Sequence, residues 1–187
     1  MNFDSILPSE IPSFDGDLIL TTEKEAPRNS KIPLLFDDIT EKDVIVIQGL
    51  ISQKIDSGLN EDQLLLGIDP GKQIGLSVYY LGNEISSSFF FSIDRLIEQV
   101  INILAELKAK QKIIKIGNGD MKMAENIAEL LNLKFCSNFE IEFVDERSTT
   151  LKIKNFNQRG KRDMLSAQFI TQRNGYWKSV LPLSITG

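Results

Sequence analysis

The architecture hinges on Leu64–Leu81, which reads LLLGIDPGKQIGLSVYYL. The apolar run Leu64–Ile68 enters Asp69-Pro70-Gly71, a pattern that predicts a buried strand followed by a turn. Leu76–Leu81 predicts a second strand. Gly82–Asn83 then separates it from EISSSFFFSI, residues 84–93, so the two stretches predict a hairpin.

Downstream, Asp94–Lys108 has apolar residues at helical spacing, and Lys112–Ile116 (KIIKI) is a short strand ended by GNGD. Met121–Leu131 predicts another helix, and Ile141–Val144 a strand that runs into DERSTT. Asn155–Gly160 reads as a polar loop. Lys161–Arg173 is a final helix with Met164, Leu165, Phe169 and Ile170 on or near its apolar face, stopped by Asn174–Gly175. From residue 63 the order is three strands, then helix, strand, helix, strand, helix. An antiparallel triplet followed by alternating helices and parallel strands predicts an α/β fold with a mixed sheet and helices on both faces.

Residues 1–60 read as a small α/β N-terminal extension, either a subdomain of its own or a segment packed against the sheet that follows. Residues 1–16 carry Pro8 and Pro12 and predict an irregular lead-in. Asp17–Leu20 and Lys31–Phe36 are strand candidates, the second weakened by Pro33. TTEKEA (21–26) could cap a brief helix through Thr21 or Thr22. Asp43–Ile55 predicts a helix capped by Thr40 and ended near Gly58 and Asn60. The expected division is therefore 1–60 and 61–187.

Composition narrows the chemistry. The 187 residues are 42% hydrophobic and 25% charged, a globular balance that can bury a real core. No apolar run approaches the ~20 residues of a membrane span. The acids and prolines of MNFDSILPSEIPSFDGD do not suit a signal peptide, so the expected location is cytoplasmic, with no membrane partner. The chain has no histidine, which excludes a Ser-His-Asp triad, a histidine base and a histidine zinc ligand. Its one cysteine, Cys136 in LKFCSNF, excludes an intrachain disulfide and reads as a small apolar core residue. What remains for catalysis is carboxylates, lysines, hydroxyls and oxygen-ligated hard metals.

Charge is unevenly placed. Residues 1–60 hold 11 acids and 5 bases, whereas residues 61–187 hold 15 acids and 16 bases. Between Arg147 and Arg162 there are six bases (Arg147, Lys152, Lys154, Arg159, Lys161, Arg162) and no acid. Lys108, Lys110, Lys112 and Lys115 form a second cluster. Each suits a solvated face or a phosphate-contacting strip.

Three short motifs carry the acids that could do chemistry. Gly67-Ile-Asp-Pro-Gly-Lys-Gln-Ile-Gly75 puts Asp69 at a strand end beside a sharp turn. Its glycine spacing, and Gln73 after Lys72, do not match a phosphate-binding P-loop. By itself it also suits a turn with a capping aspartate. Val144-Asp-Glu-Arg-Ser-Thr-Thr150 puts two acids after a strand, which also suits a salt bridge to Arg147. Asp163 opens the helix RDMLSAQFI, where an acid also suits the helix dipole.

Together these segments resemble the RuvC/YqgF-like branch of the ribonuclease H-like superfamily, which contains Holliday-junction resolvases and related nucleases. The resemblance covers about residues 63–175. GIDPGKQIGLSVYY looks like the family's first strand and glycine turn. VDERSTT is similar to the segment after the last strand in the YqgF-type subgroup, and RDMLSAQFI resembles the aspartate-led closing helix. KIIKI departs from the resolvase subgroup in carrying no acid, IGNGD departs from the YqgF-type loop in lacking proline, and the DPG turn is closer to the resolvases.

The resemblance implies a ribonuclease H-like mixed five-stranded sheet flanked by helices. It also implies that Asp69, Glu146 and Asp163 are catalytic ligands of Mg2+ or Mn2+, with Asp145 as the alternative to Glu146. Carboxylates converging to roughly 4 Å repel unless a cation neutralises them. Asp120 could join them, although capping the next helix is the simpler reading. Lys72, Arg147, Lys152, Lys154, Arg159, Lys161 and Arg162 would contact phosphates. The expected activity is endonucleolytic hydrolysis of structured, branched DNA, for which a homodimer would match the substrate's near two-fold symmetry. An RNA-directed nuclease of ribosomal RNA processing, and a noncatalytic nucleic-acid or protein adaptor, are the alternatives.

Overall fold

The computed structural model describes residues 4–55, 62–135, 138–145 and 159–176, with side chains in the last stretch from Met164 onward. The chain divides into two compact units, Met1–Leu59 and Asn60–Gly187.

In the first unit, Pro8–Ser13 forms a 3-10 helix where an irregular lead-in is expected. Pro8 occupies its first position, where a missing N–H costs nothing, and the Glu10 carboxylate accepts the Leu7 N–H at 2.7 Å. Strands β1 (Ile19–Thr21) and β2 (Leu34–Phe36) pair in parallel. Pro33 cannot donate to a ladder, so β2 starts after it, while its carbonyl still accepts the Ile19 N–H at 3.0 Å. TTEKEA closes one turn and no helix: the Glu25 and Ala26 N–H groups bond back to the Thr22 carbonyl. Helix α1 (Val44–Ile55) is capped by Asp43, whose Oδ1 accepts the Ile45 N–H at 2.9 Å. The expected cap, Thr40, belongs instead to a 3-10 helix at Asp37–Glu41 and donates to the Asp37 carbonyl.

The second unit is built on one mixed five-stranded sheet. Strands β3 (Gln63–Asp69), β4 (Ile74–Tyr80) and β5 (Asn83–Phe90) form the antiparallel triplet. Helix α2 (Ile93–Glu106) leads to β6 (Gln111–Gly117), and α3 (Met121–Lys134) leads to β7 (Glu140–Val144). Helix α4 (Arg159–Thr171) follows. The spatial order is β5-β4-β3-β6-β7, with β3, β6 and β7 parallel. The β4–β5 turn has Leu81 at φ 53° and Gly82 at φ 83° as its central pair, one residue earlier than the expected Gly82–Asn83. Both φ values are positive, as a two-residue turn matched to strand twist requires.

Residues directly opposite one another share a face, so the pairings sort the sheet. Leu64, Leu66, Ile68, Leu76, Val78, Tyr80, Ile114, Ile116 and Phe143 lie on one face and are fully buried. That face carries α2 and α3. The Tyr80 hydroxyl donates to the Lys108 carbonyl at 2.7 Å, just past the α2 C-terminus, and Lys112 Nζ donates to the Leu104 carbonyl. Leu96, Ile97, Val100, Ile103 and Leu104 of α2 close the core together with Ala124, Ile127, Ala128 and Leu131 of α3. The opposite face carries α4. Its middle row is Gly67, Ser77 and Ser87, all small. A Cβ at Gly67 would overlap the Ala167 carbonyl oxygen and come within 2.5 Å of Thr171 Cγ2. The α4 backbone thus rests directly on the central strand, a close approach that only glycine permits. Cys136 lies outside the described residues.

Candidate metal centre and nucleic-acid interface

The C-terminal ends of the parallel strands β3, β6 and β7 meet at one edge of the sheet. Asp69 ends β3, the central strand, and is half-buried. Alternation from Gly67 places it on the face covered by α4. The chain reverses through Pro70–Gln73 and returns with Gly75 paired to Asp69. A Cβ at Gly71 would come 3.3 Å from the Gln73 carbonyl oxygen, so this turn has little room for a side chain there. Lys72 is exposed on the turn. Gln73 Oε1 is buried and has no hydrogen-bond partner among the described residues.

Beside β3, β6 ends at Gly117. The Asn118 N–H donates to the Val144 carbonyl at 3.0 Å, which carries the ladder one step past the strand. Asp120 caps α3, its Oδ1 accepting the Met123 N–H at 3.0 Å. This is the simpler of its two expected roles. Asp145 follows β7 and is exposed, and its carbonyl accepts a bond from Arg173 Nη1 at 3.1 Å. Asp69 and Asp145 therefore stand at the same end of the sheet, on strands separated by β6. Neighbouring strands lie ~4.8 Å apart, so their backbones are about 10 Å apart.

Helix α4 holds the remaining expected residues that the structure places. Position 163 lies one turn before Ala167, on the same stripe of the helix that meets Gly67. Arg159, Lys161 and Arg162 all fall in the first turn, which contains no acid. Positive charge at the positive end of a helix dipole opposes helix formation unless an anion is present. Glu146, Arg147, Lys152 and Lys154 lie outside the described residues. Among the described residues no group of three Asp, Glu, Cys or His side chains could hold a metal ion. Asp69 and Asp145 are the expected ligands within that set.

The structure corrects the reading of the lysine cluster. Lys112 and Lys115 point to opposite faces of β6, and neither is a solvated or phosphate-ready cation. Burial lowers the Lys112 pKa from its usual value. Lys115 Nζ donates to the Thr171 carbonyl at 3.2 Å and to the Arg173 carbonyl, and lies 3.7 Å from Glu142 Oε2. It thereby satisfies the carbonyls at the α4 C-terminus, which the helix itself leaves unpaired. Lys110 pairs with Asp62 at 3.3 Å. The Lys115–Glu142 pair that seats α4 is missing from the sequence reading. The available signal is strand alternation, which sends Lys112 and Lys115 of KIIKI to different faces.

No protein-family model matches the chain, and no curated protein matches it.

Proposed function

We propose that the second unit is a metal-dependent endonuclease of the RuvC/YqgF-like type, acting on structured and preferably branched DNA. The observation that carries this reading is positional. Asp69 ends the central strand of a sheet ordered β5-β4-β3-β6-β7, and the helix bearing Asp163 rests on that same strand and face. A mixed five-stranded sheet flanked by helices is what the ribonuclease H-like resemblance implies. Asp69, Glu146 and Asp163 would hold Mg2+ or Mn2+, with Asp145 as the alternative to Glu146. A bound divalent ion would supply water activation and charge stabilisation at the phosphodiester, which suits a chain without histidine. Lys72 and the first turn of α4 would orient the phosphate backbone at the edge where Asp69 stands.

The test compares cleavage of a four-way DNA junction, a linear duplex and an RNA hairpin in manganese. Junction cleavage by wild type, lowered on the order of a thousandfold by Asp69→Asn, is the expected result, since metal-borne stabilisation of several kcal/mol is lost. Preference for the RNA hairpin would move the substrate to structured RNA. Equal, negligible cleavage by both proteins on all three substrates contradicts the reading. It would favour a noncatalytic adaptor of the same fold.

A further inference from the structure

Phe89 and Phe91 are exposed at 40% and 75%, although neighbouring strands bury nearly every large apolar side chain. Leaving a phenylalanine in water forgoes burial worth ~1.5–3 kcal/mol. The two rings sit edge to face with centroids 5.5 Å apart. Phe89 lies within β5, and Phe91 directly precedes Ser92, the N-cap of α2.

Their place in the sheet gives the pair a meaning. Asp69 is opposite Gly75, and Gly75 is opposite Phe89. The three form one row on the α4 face, and its middle member has no side chain. Phe89 therefore lies two strand spacings, about 10 Å, from Asp69. The turn bearing exposed Lys72 leads into Ile74, which pairs with Phe90 at the end of β5. An aromatic pair, a cation and a carboxylate thus follow one another along one edge of the sheet.

We propose that Phe89 and Phe91 form a stacking platform for an unpaired nucleobase whose phosphate backbone runs past Lys72 toward Asp69. Aromatic faces accept any base, and a neighbouring cation tracks the backbone, which together suit unstacked nucleotides and not intact duplex. The inference rests on the nuclease reading and adds to it the feature that is recognised: an unpaired base beside the cleaved strand.

The experiment measures binding in EDTA, so that no cleavage intervenes, to three probes: a single strand carrying 2-aminopurine, a four-way junction and a blunt duplex. Phe89→Ala/Phe91→Ala is expected to weaken binding to the single strand and the junction about ten- to a hundredfold. It should abolish the change in 2-aminopurine emission and leave duplex affinity within about twofold. Phe91→Trp should retain binding. A wild-type-like far-ultraviolet circular dichroism spectrum and a cooperative melt serve as the folding control, because Phe89 is 40% exposed and its loss lowers the melting temperature without unfolding the sheet. If wild type binds single strand and junction and the double variant binds them equally well, the platform is overturned while the nuclease reading stands. If wild type binds no probe, the platform is overturned, and the manganese cleavage assay decides the nuclease reading separately. If wild type self-associates and the double variant does not, the aromatic pair is a contact between copies and the platform is overturned.

Discussion

Gly67 shows how much one missing methyl group can decide. It lies two residues before Asp69 on the same face, and the Ala167 carbonyl oxygen and Thr171 methyl occupy the space its Cβ would need. One of these obstacles is backbone, so no rotamer change relieves it. Gly67→Ala must lift α4 from β3, and overpacking of this kind costs about 1–3 kcal/mol. Urea unfolding should show that loss, and a change under ~0.5 kcal/mol would mean that α4 does not rest on β3 as described. In the sequence, Gly67 reads only as part of a turn motif. The close approach depends on a helix 100 residues further along the chain, and local spacing contains no trace of it. The same limit hid Asp43: both Thr40 and Asp43 are good caps, and the choice between them is made by the 3-10 helix that absorbs Thr40.

Elements were readable where their period is strong and their ends are marked. The run LLLGID, the amphipathic α2 and the GNGD stop after β6 need no tertiary information to be found. Strand β2 and the turn at Glu23–Glu25 are weaker because Pro33 and single-turn hydrogen bonding decide them. Pairing between elements creates chemistry that composition hides. Tyr80 ties β4 to the end of α2 through its bond to the Lys108 carbonyl. Burial, and secondarily the Asp62 carboxylate, raise its pKa above the usual 10.0, and burial together with Glu84 raises that of Tyr79. A folded-state pKa above the unfolded value leaves stability intact below about pH 10 and drains it as pH climbs through the folded pKa. Lys112 has the opposite sign. Its depressed folded pKa makes the charged form a cost at neutral pH, and that cost fades as pH rises toward its ordinary 10.5. Tyr80→Phe isolates the tyrosine. The variant should lose about 1 kcal/mol at pH 7 with its hydrogen bond, and its stability should fall less steeply than wild type above pH 10. Parallel wild-type and variant curves in chemical denaturation across pH 8–11.5 would contradict this assignment.

For the chain as a whole, the mixed five-stranded sheet with helices on both faces follows from the strand triplet and the later alternation. No helix among the described residues is long and apolar enough to cross a membrane. The candidate site is readable only in part. Asp69 announces itself by ending a buried strand, and Asp120 by preceding a helix, but the division of lysines between structural and surface roles needs the sheet's faces. The central claim is that Asp69 belongs to a divalent-metal site at the end of the central strand. Manganese titration followed by electron paramagnetic resonance tests it most directly, comparing wild type with Asp69→Asn at neutral pH. Saturable loss of the free-manganese signal with wild type, weakened at least tenfold by the substitution, is the predicted result. Identical titrations for the two proteins would contradict it.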